Sequence, residues 1–345
     1  MPHQKTEQKC KTTEEEFNPP VFLRNPGIQT YLASSKARSR GKNPMLDASK
    51  EFVIDAGTGV RLLAGYSRND SAKGAVLLFH GWEGSIDSAY ILSSGRFLFN
   101  NGFSVFRLNF RDHGKSHHLN KGLFYATLID EVLEAVKAVS AISGDSPLFL
   151  AGFSLGGNFA LRIGQALSKE PAINLRHIVG ISPVINPDKA TDAIDRNMFI
   201  REYFLLKWRR SLSHKQKLFP ELYDFRDIIP IKSCRGITDR LIERYSRYRD
   251  AAEYFKCYAI TNCTLNEIRI PTTIITSKDD PVIPADDFYS LNPKEPVNLI
   301  MHNYGGHNGF IGNLSFDCWY ENKMVRLFEE QIKRNNIGYH NNIPI

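Results

Sequence analysis

The sequence predicts an α/β protein with a mostly parallel sheet flanked by helices, and two patterns carry that expectation. Short apolar runs, each ended by a turn, recur as Ala75–Phe79, Ser104–Leu108, Leu148–Ala151, Ile178–Ile181, Thr272–Thr276 and Val297–Met301. Runs that are apolar on both faces suit strands covered by helices on both sides. Between them lie stretches of helical period. Leu128, Ile129, Val132, Leu133, Val136 and Val139 make one apolar stripe, and Phe159, Ile163, Ala166 and Leu167 make another. Strands and helices alternating in this way build a parallel sheet.

Taken in order, residues 1–50 are polar and punctuated by Pro19-Pro20, Pro26-Gly27 and Pro44, which predicts an arm packed on the core. Phe52–Asp55 and Val60–Gly65 flank Gly57-Thr58-Gly59, the signature of a hairpin. The alternation then runs to residue 183 and resumes at 268, ending in a helix around Phe316–Ile332, so the expected core is 51–183 with 268–336. Residues 184–267 break the pattern, being charged, aromatic and more helical than extended. An insertion there, after the sixth strand, predicts a helical cap over the strand ends, where ligands bind in such sheets.

Composition excludes several classes. A chain of 345 residues that is 42% hydrophobic is too rich in core for disorder. Its five cysteines (Cys10, Cys234, Cys257, Cys263, Cys318) are odd in number and form no Cys-x-x-Cys pair. That argues against a zinc ribbon or disulfide framework and suits a reducing compartment, so a cytoplasmic location is expected. No apolar run approaches the roughly 18 residues of a membrane span, and Met1–Glu7 has no hydrophobic region behind it to suggest an export signal. The net charge of +7 is concentrated between Arg201 and Lys256, where 14 Lys and Arg face 8 Asp and Glu. With acids interleaved and no nucleic-acid motif, a solvated helical face is expected rather than a nucleic-acid partner.

The chemistry centres on Gly152-Phe153-Ser154-Leu155-Gly156, which follows an apolar strand and opens an amphipathic helix. That context makes Gly-x-Ser-x-Gly a nucleophile elbow, with Ser154 held above the sheet edge in a strained turn. A serine needs a base, and the base needs a third group to orient it. His307, between Gly306 and Asn308-Gly309, follows the last apolar run; Asp280 follows the run before it. Asp280 is the preferred acid, its neighbour Asp279 the alternative, and Asp188 a third option. Two backbone donors must meet the oxyanion: Leu155 N–H, behind the serine, and Trp82 N–H, in the loop His80-Gly81-Trp82-Glu83-Gly84. His80 itself reads as structural. Gly114-Lys115-Ser116 fails as a phosphate loop because Asn109 stands where the first glycine belongs. His113, His117 and His118 lie in a loop without ligand spacing, so neither a metal nor a cofactor is expected.

These pieces resemble the α/β-hydrolases, specifically the YheT-like (type 4) esterases. The resemblance runs through Phe17-Asn18-Pro19-Pro20 and Gln29-Thr30, His80–Ser85, Arg107–Gly114, Gly152–Asn158, Asp279-Asp280-Pro281 and Gly305-Gly306-His307. It implies an α/β-hydrolase fold and hydrolysis of short- or medium-chain acyl or lipid esters, with a triad on Ser154, Asp280 and His307. Several eukaryotic members carry a membrane-anchoring segment, and no such segment is expected here. The expected partner is thus a small-molecule ester. Rival readings are an acyltransferase on the same triad, a ligand-binding protein on a lapsed hydrolase scaffold, and a peripheral membrane protein using the basic and aromatic residues of 184–267.

Overall fold

The computed structural model describes residues 16–168 and 173–340; Cys10 and the first fifteen residues of the expected arm lie outside them. The hairpin forms where the glycines put it. β1 (Ser49–Asp55) and β2 (Arg61–Ser67) pair antiparallel around a turn in which Gly57, Thr58 and Gly59 all take positive φ. β3 (Ala75–Phe79), β4 (Ser104–Leu108), β5 (Leu148–Phe153), β6 (Leu175–Ile181), β7 (Thr272–Ser277) and β8 (Val297–His302) follow, all within a few residues of the expected runs. They form one eight-stranded sheet in the order β1-β2-β4-β3-β5-β6-β7-β8, antiparallel at β1, β2 and β4 and parallel beyond. Every residue of β3, β4, β5 and β7 is buried. With both faces covered there is no solvent side to alternate toward, hence the unbroken apolar runs.

On one face, Val132, Val136, Phe159 and Ile163 come from the helices Ile129–Ser143 and Leu155–Leu167. On the other, Leu98 and Phe328 come from the helices Ala89–Asn100 and Trp319–His340, joined by Phe17, Leu23 and Met45 from the N-terminal segment. The inward side of the helix Ala89–Asn100 mixes apolar Tyr90, Ile91 and Leu98 with polar side chains. Its inward positions include Ser93 and Ser94, whose hydroxyls donate to Glu321 Oε1 at 3.0 and 2.9 Å. The same carboxylate takes Arg38 Nη2 at 2.8 Å, tying the N-terminal segment to the last helix.

From β3 the strand order runs outward to β4 on one side and β5 on the other. The loops leaving β3 and β5 therefore part at the carboxyl edge and leave a crevice, the place where such sheets bind ligands. His80 follows β3 and Ser154 follows β5. Between β6 and β7 the described chain forms five helices: Pro187–Arg196, Met198–Leu218, Cys234–Tyr245, Ala251–Lys256 and Asn262–Glu267. Side-chain caps separate them, as when Asn197 ends the first and accepts from Phe199 and Ile200 N–H to start the second. No helix among the described residues is long and apolar enough to cross a membrane.

Candidate active site

Ser154 sits between β5 and the helix Leu155–Leu167 with φ 55° and ψ −118°, a region non-glycine residues enter only when their surroundings force it. The force is steric. A Cβ on Gly152 would lie 2.1 Å from Gly156 O, and one on Gly156 would lie 2.5 Å from His80 O. Only glycine lets strand, turn and neighbouring loop pass this closely. Gly152→Ala is accordingly expected to destabilise the fold by on the order of 3 kcal/mol or to prevent folding, read as a lowered thermal midpoint. An unchanged midpoint would refute the steric account.

The structure brings Ser154, His307 and Asp280 together. The Ser154 hydroxyl donates to His307 Nε2 at 2.9 Å, and His307 Nδ1 meets Asp280 Oδ2 at 2.9 Å and Oδ1 at 3.1 Å. Asp280 Oδ1 also accepts from Val282 and Ile283 N–H at 2.8 and 2.9 Å, which fixes the carboxylate. Asp279 turns the other way: its Oδ1 accepts from Gly306 N–H at 2.9 Å and so holds the loop before His307. Asp188 instead pairs with Arg235 Nη2 at 2.7 Å. His307 is further held by its own N–H, which donates to Thr30 Oγ1 at 3.0 Å. Thr30 belongs to the N-terminal helix Pro26–Ser34, and its neighbour Gln29 accepts from Ile311 N–H at 2.9 Å.

The loop after β3 lies against the serine, since a Cβ on Gly81 would come 3.1 Å from Ser154 Cβ. Neither Trp82 N–H nor Leu155 N–H donates to another group among the described residues, and Leu155 opens its helix, where the first N–H groups have no intrahelical partner. His80 is buried as a structural residue: Nδ1 faces Gly81 O at 2.8 Å and Nε2 accepts from Phe110 N–H at 3.2 Å. Burial lowers its pKa to about 4, so it stays neutral.

A family model described as Hydrolase_4, serine aminopeptidase S33, matches residues 70–309, more than half of the chain. The chain belongs to this family. As an α/β-hydrolase it is 26% identical to the putative esterase YheT of Escherichia coli over 264 residues, 73% of this chain and 75% of that protein. It is also 26% identical to the medium-chain fatty acid ethyl ester synthase/esterase 2 of Saccharomyces cerevisiae, over 68% of this chain and 58% of that protein. Among solved structures, the Pyrococcus furiosus esterase Pf2001 shares the fold with a TM-score of 0.54 at 16% identity, over 84% of this chain and 96% of that one. The resemblance read from the motifs is borne out.

Within this hydrolase, Ser154 opens into a cleft of about 1110 Å³, solvent at its mouth included. Trp82, Phe124, Phe204, Trp208, Tyr254 and Phe255 are among its aromatic walls. Trp82, expected to act through its backbone, also stacks its indole on Phe204 at 5.1 Å and meets Trp208 edge-on at 4.7 Å. The helix Leu155–Leu167 is tied to the segment between β6 and β7 by Asn158, whose Nδ2 donates to the carbonyls of Val184 and Tyr258 at 2.9 and 2.7 Å. One expectation is corrected here. Lys215, counted in the solvated charge run, is buried; Nζ donates to Asp112 Oδ1 at 2.7 Å and to the carbonyls of Asn120 and Gly122 at 2.7 and 3.0 Å. It pins the helix Met198–Leu218 to the loop after β4. Sequence reasoning also missed Glu83, which lines the cleft at φ 54°. Burial, aided by Asp112 and opposed by Lys207, pushes its carboxyl up to about 8.

Proposed function

We propose that the protein is a serine esterase that cleaves carboxylic esters of short- or medium-chain acyl or lipid type through an acyl-enzyme. The hydrogen-bonded line from Ser154 through His307 to Asp280, at the floor of an apolar cleft, is the observation that carries this reading. Ser154 Oγ attacks the ester carbonyl while its proton passes to His307 Nε2. Asp280 accepts from Nδ1–H and steadies the imidazolium. Leu155 and Trp82 N–H donate to the oxyanion, each such donor contributing roughly 3–4 kcal/mol in related chemistry. The tetrahedral carbon then expels the alcohol, which takes the proton from Nε2, and water repeats the sequence to free the acid and restore Ser154. Residues 184–267 act as the cap that walls the cleft, and the described residues 16–50 of the N-terminal segment as an arm steadying His307. No cofactor enters, and five cysteines, odd in number and without a Cys-x-x-Cys pair, suit a cytoplasmic enzyme.

The family description names an aminopeptidase, whose substrate presents an ammonium group. Such a group calls for an ionised carboxylate. In this cleft Asp112 is committed to Lys215, and desolvation, pushing the Glu83 carboxyl up to about 8, favours its neutral form at neutral pH. An uncharged ester fits that lining better. The test is a p-nitrophenyl ester series from acetyl to palmitoyl: turnover with a chain-length optimum is expected, and no turnover from folded protein would remove the reading. Acyl transfer uses the same acyl-enzyme, and the yeast relative's name includes both activities. Ester product formed when ethanol is added measures the partition.

Glu83 adds a pH signature. Below about 8 its carboxyl is neutral; above, it is an anion in the cleft where the oxyanion develops. The rate constant kcat/KM is expected to fall as pH rises through about 8, and Glu83→Gln to remove the fall. An alkaline limb unchanged by the substitution would assign it elsewhere.

A further inference from the structure

The helix Met198–Leu218 has two working faces. Inward, Phe204, Trp208, Ser211, Leu212 and Lys215 line the cleft above Ser154. Outward, Phe199, Tyr203, Leu206, Arg210, Ser213 and Lys217 follow at intervals of three and four, so they share a side. Its first half is apolar and unusually bare: Phe199 is 81% exposed, Met198 57% and Leu206 51%. Its second half is cationic. Arg210, His214 and Lys217 are exposed, and with Arg209, Ser213 and Leu206 they line a shallow surface groove. Neither Arg210 nor Lys217 forms an ion pair among the described residues. The helix carries a single acid, Glu202, which sits beside Arg201 Nε at 3.4 Å.

We propose that this outer face docks the protein on an anionic lipid bilayer, with Phe199 and Leu206 entering the acyl boundary and Arg210 and Lys217 meeting the headgroup phosphates. Charge selects this occupant. A soluble surface leaves large apolar side chains together only where something covers them, and an aromatic and aliphatic cluster continued by unpaired cations matches an interface that is apolar below and negative above. A second copy of the chain would bring the same cations face to face. Docking would set the cleft's covering helix at the membrane surface, where a lipid ester resides. The benefit to catalysis rests on the esterase reading, but the docking itself does not.

The test is co-sedimentation of the full chain with vesicles of phosphatidylcholine alone or with phosphatidylglycerol added, at low and high salt. Binding is expected to the anionic vesicles only, weakened by salt. Phe199→Ser with Leu206→Ser, or Arg210→Glu with Lys217→Glu, is expected to weaken it by about tenfold or more. Turnover of a soluble short-chain ester should stay unchanged, because none of the four residues lines the cleft. No binding to anionic vesicles at low salt overturns the proposal, as does binding that both double variants leave intact. A dimer in sedimentation velocity that the variants dissolve, without vesicle binding, reassigns the face to self-association and also overturns it. Vesicle binding by a protein that cleaves no ester would keep the proposal and sink the esterase.

Discussion

Ser154→Ala is expected to lower kcat on a p-nitrophenyl ester by about a millionfold, the scale of loss when a serine is removed from such a relay. The hydroxyl is the only group the substitution deletes, and among the described residues it makes a single hydrogen bond, to His307 Nε2. Alanine keeps the Cβ, so the backbone at φ 55° meets no new contact and the strain there is unchanged. Stability should move by about 1 kcal/mol or less, the worth of one hydrogen bond. Thermal unfolding beside the kinetics separates a lost nucleophile from a lost fold. Labelling by a fluorophosphonate, which needs the serine oxygen and a working base, should vanish with the activity. Turnover retained in the alanine variant would remove Ser154 from the chemistry and the acyl-enzyme with it.

The serine was legible because its constraint is local. A strand turning into a helix within a few atoms demands glycine at 152 and 156, so the requirement is written in five consecutive residues. Strand positions were legible for a similar reason, since burial on both faces leaves unbroken apolar runs. What escaped depends on partners distant in the chain. Thr30, which holds the His307 backbone, lies 277 residues away from it, so Gln29-Thr30 is visible as a motif while its contact is not. Lys215 stands in a basic stretch that composition assigns to solvent, yet its counter-charge is Asp112, 103 residues earlier. Ser93 and Ser94 of the helix Ala89–Asn100 meet Glu321, 228 and 227 residues later. Each is a polar contact satisfied by tertiary structure, and hydrophobic period carries no trace of such contacts.

The choice between the two adjacent aspartates gives the second large effect. Asp280→Asn is expected to lower kcat by about 10⁴-fold with KM little changed, because the amide leaves the geometry in place and favours the wrong imidazole tautomer. With an amide N–H facing it, Nδ1 becomes the acceptor; Nε2 then carries the proton and no longer accepts one from Ser154. The Val282 and Ile283 N–H groups already occupy Oδ1. They therefore keep the amide oxygen on their side and turn its NH₂ toward the ring. Asp279→Asn should behave differently. Its amide oxygen still accepts from Gly306 N–H, and burial already disfavours the charge of this carboxyl, so losing that charge removes little. A fall of about tenfold at most is expected, equivalent to one weakened hydrogen bond. The two asparagine variants, assayed on one ester at one pH, thus test the acid directly. If Asp279→Asn lost the larger factor, the carboxylate orienting His307 during turnover would be Asp279, and the Asp280 contact would belong to a resting arrangement of the loop.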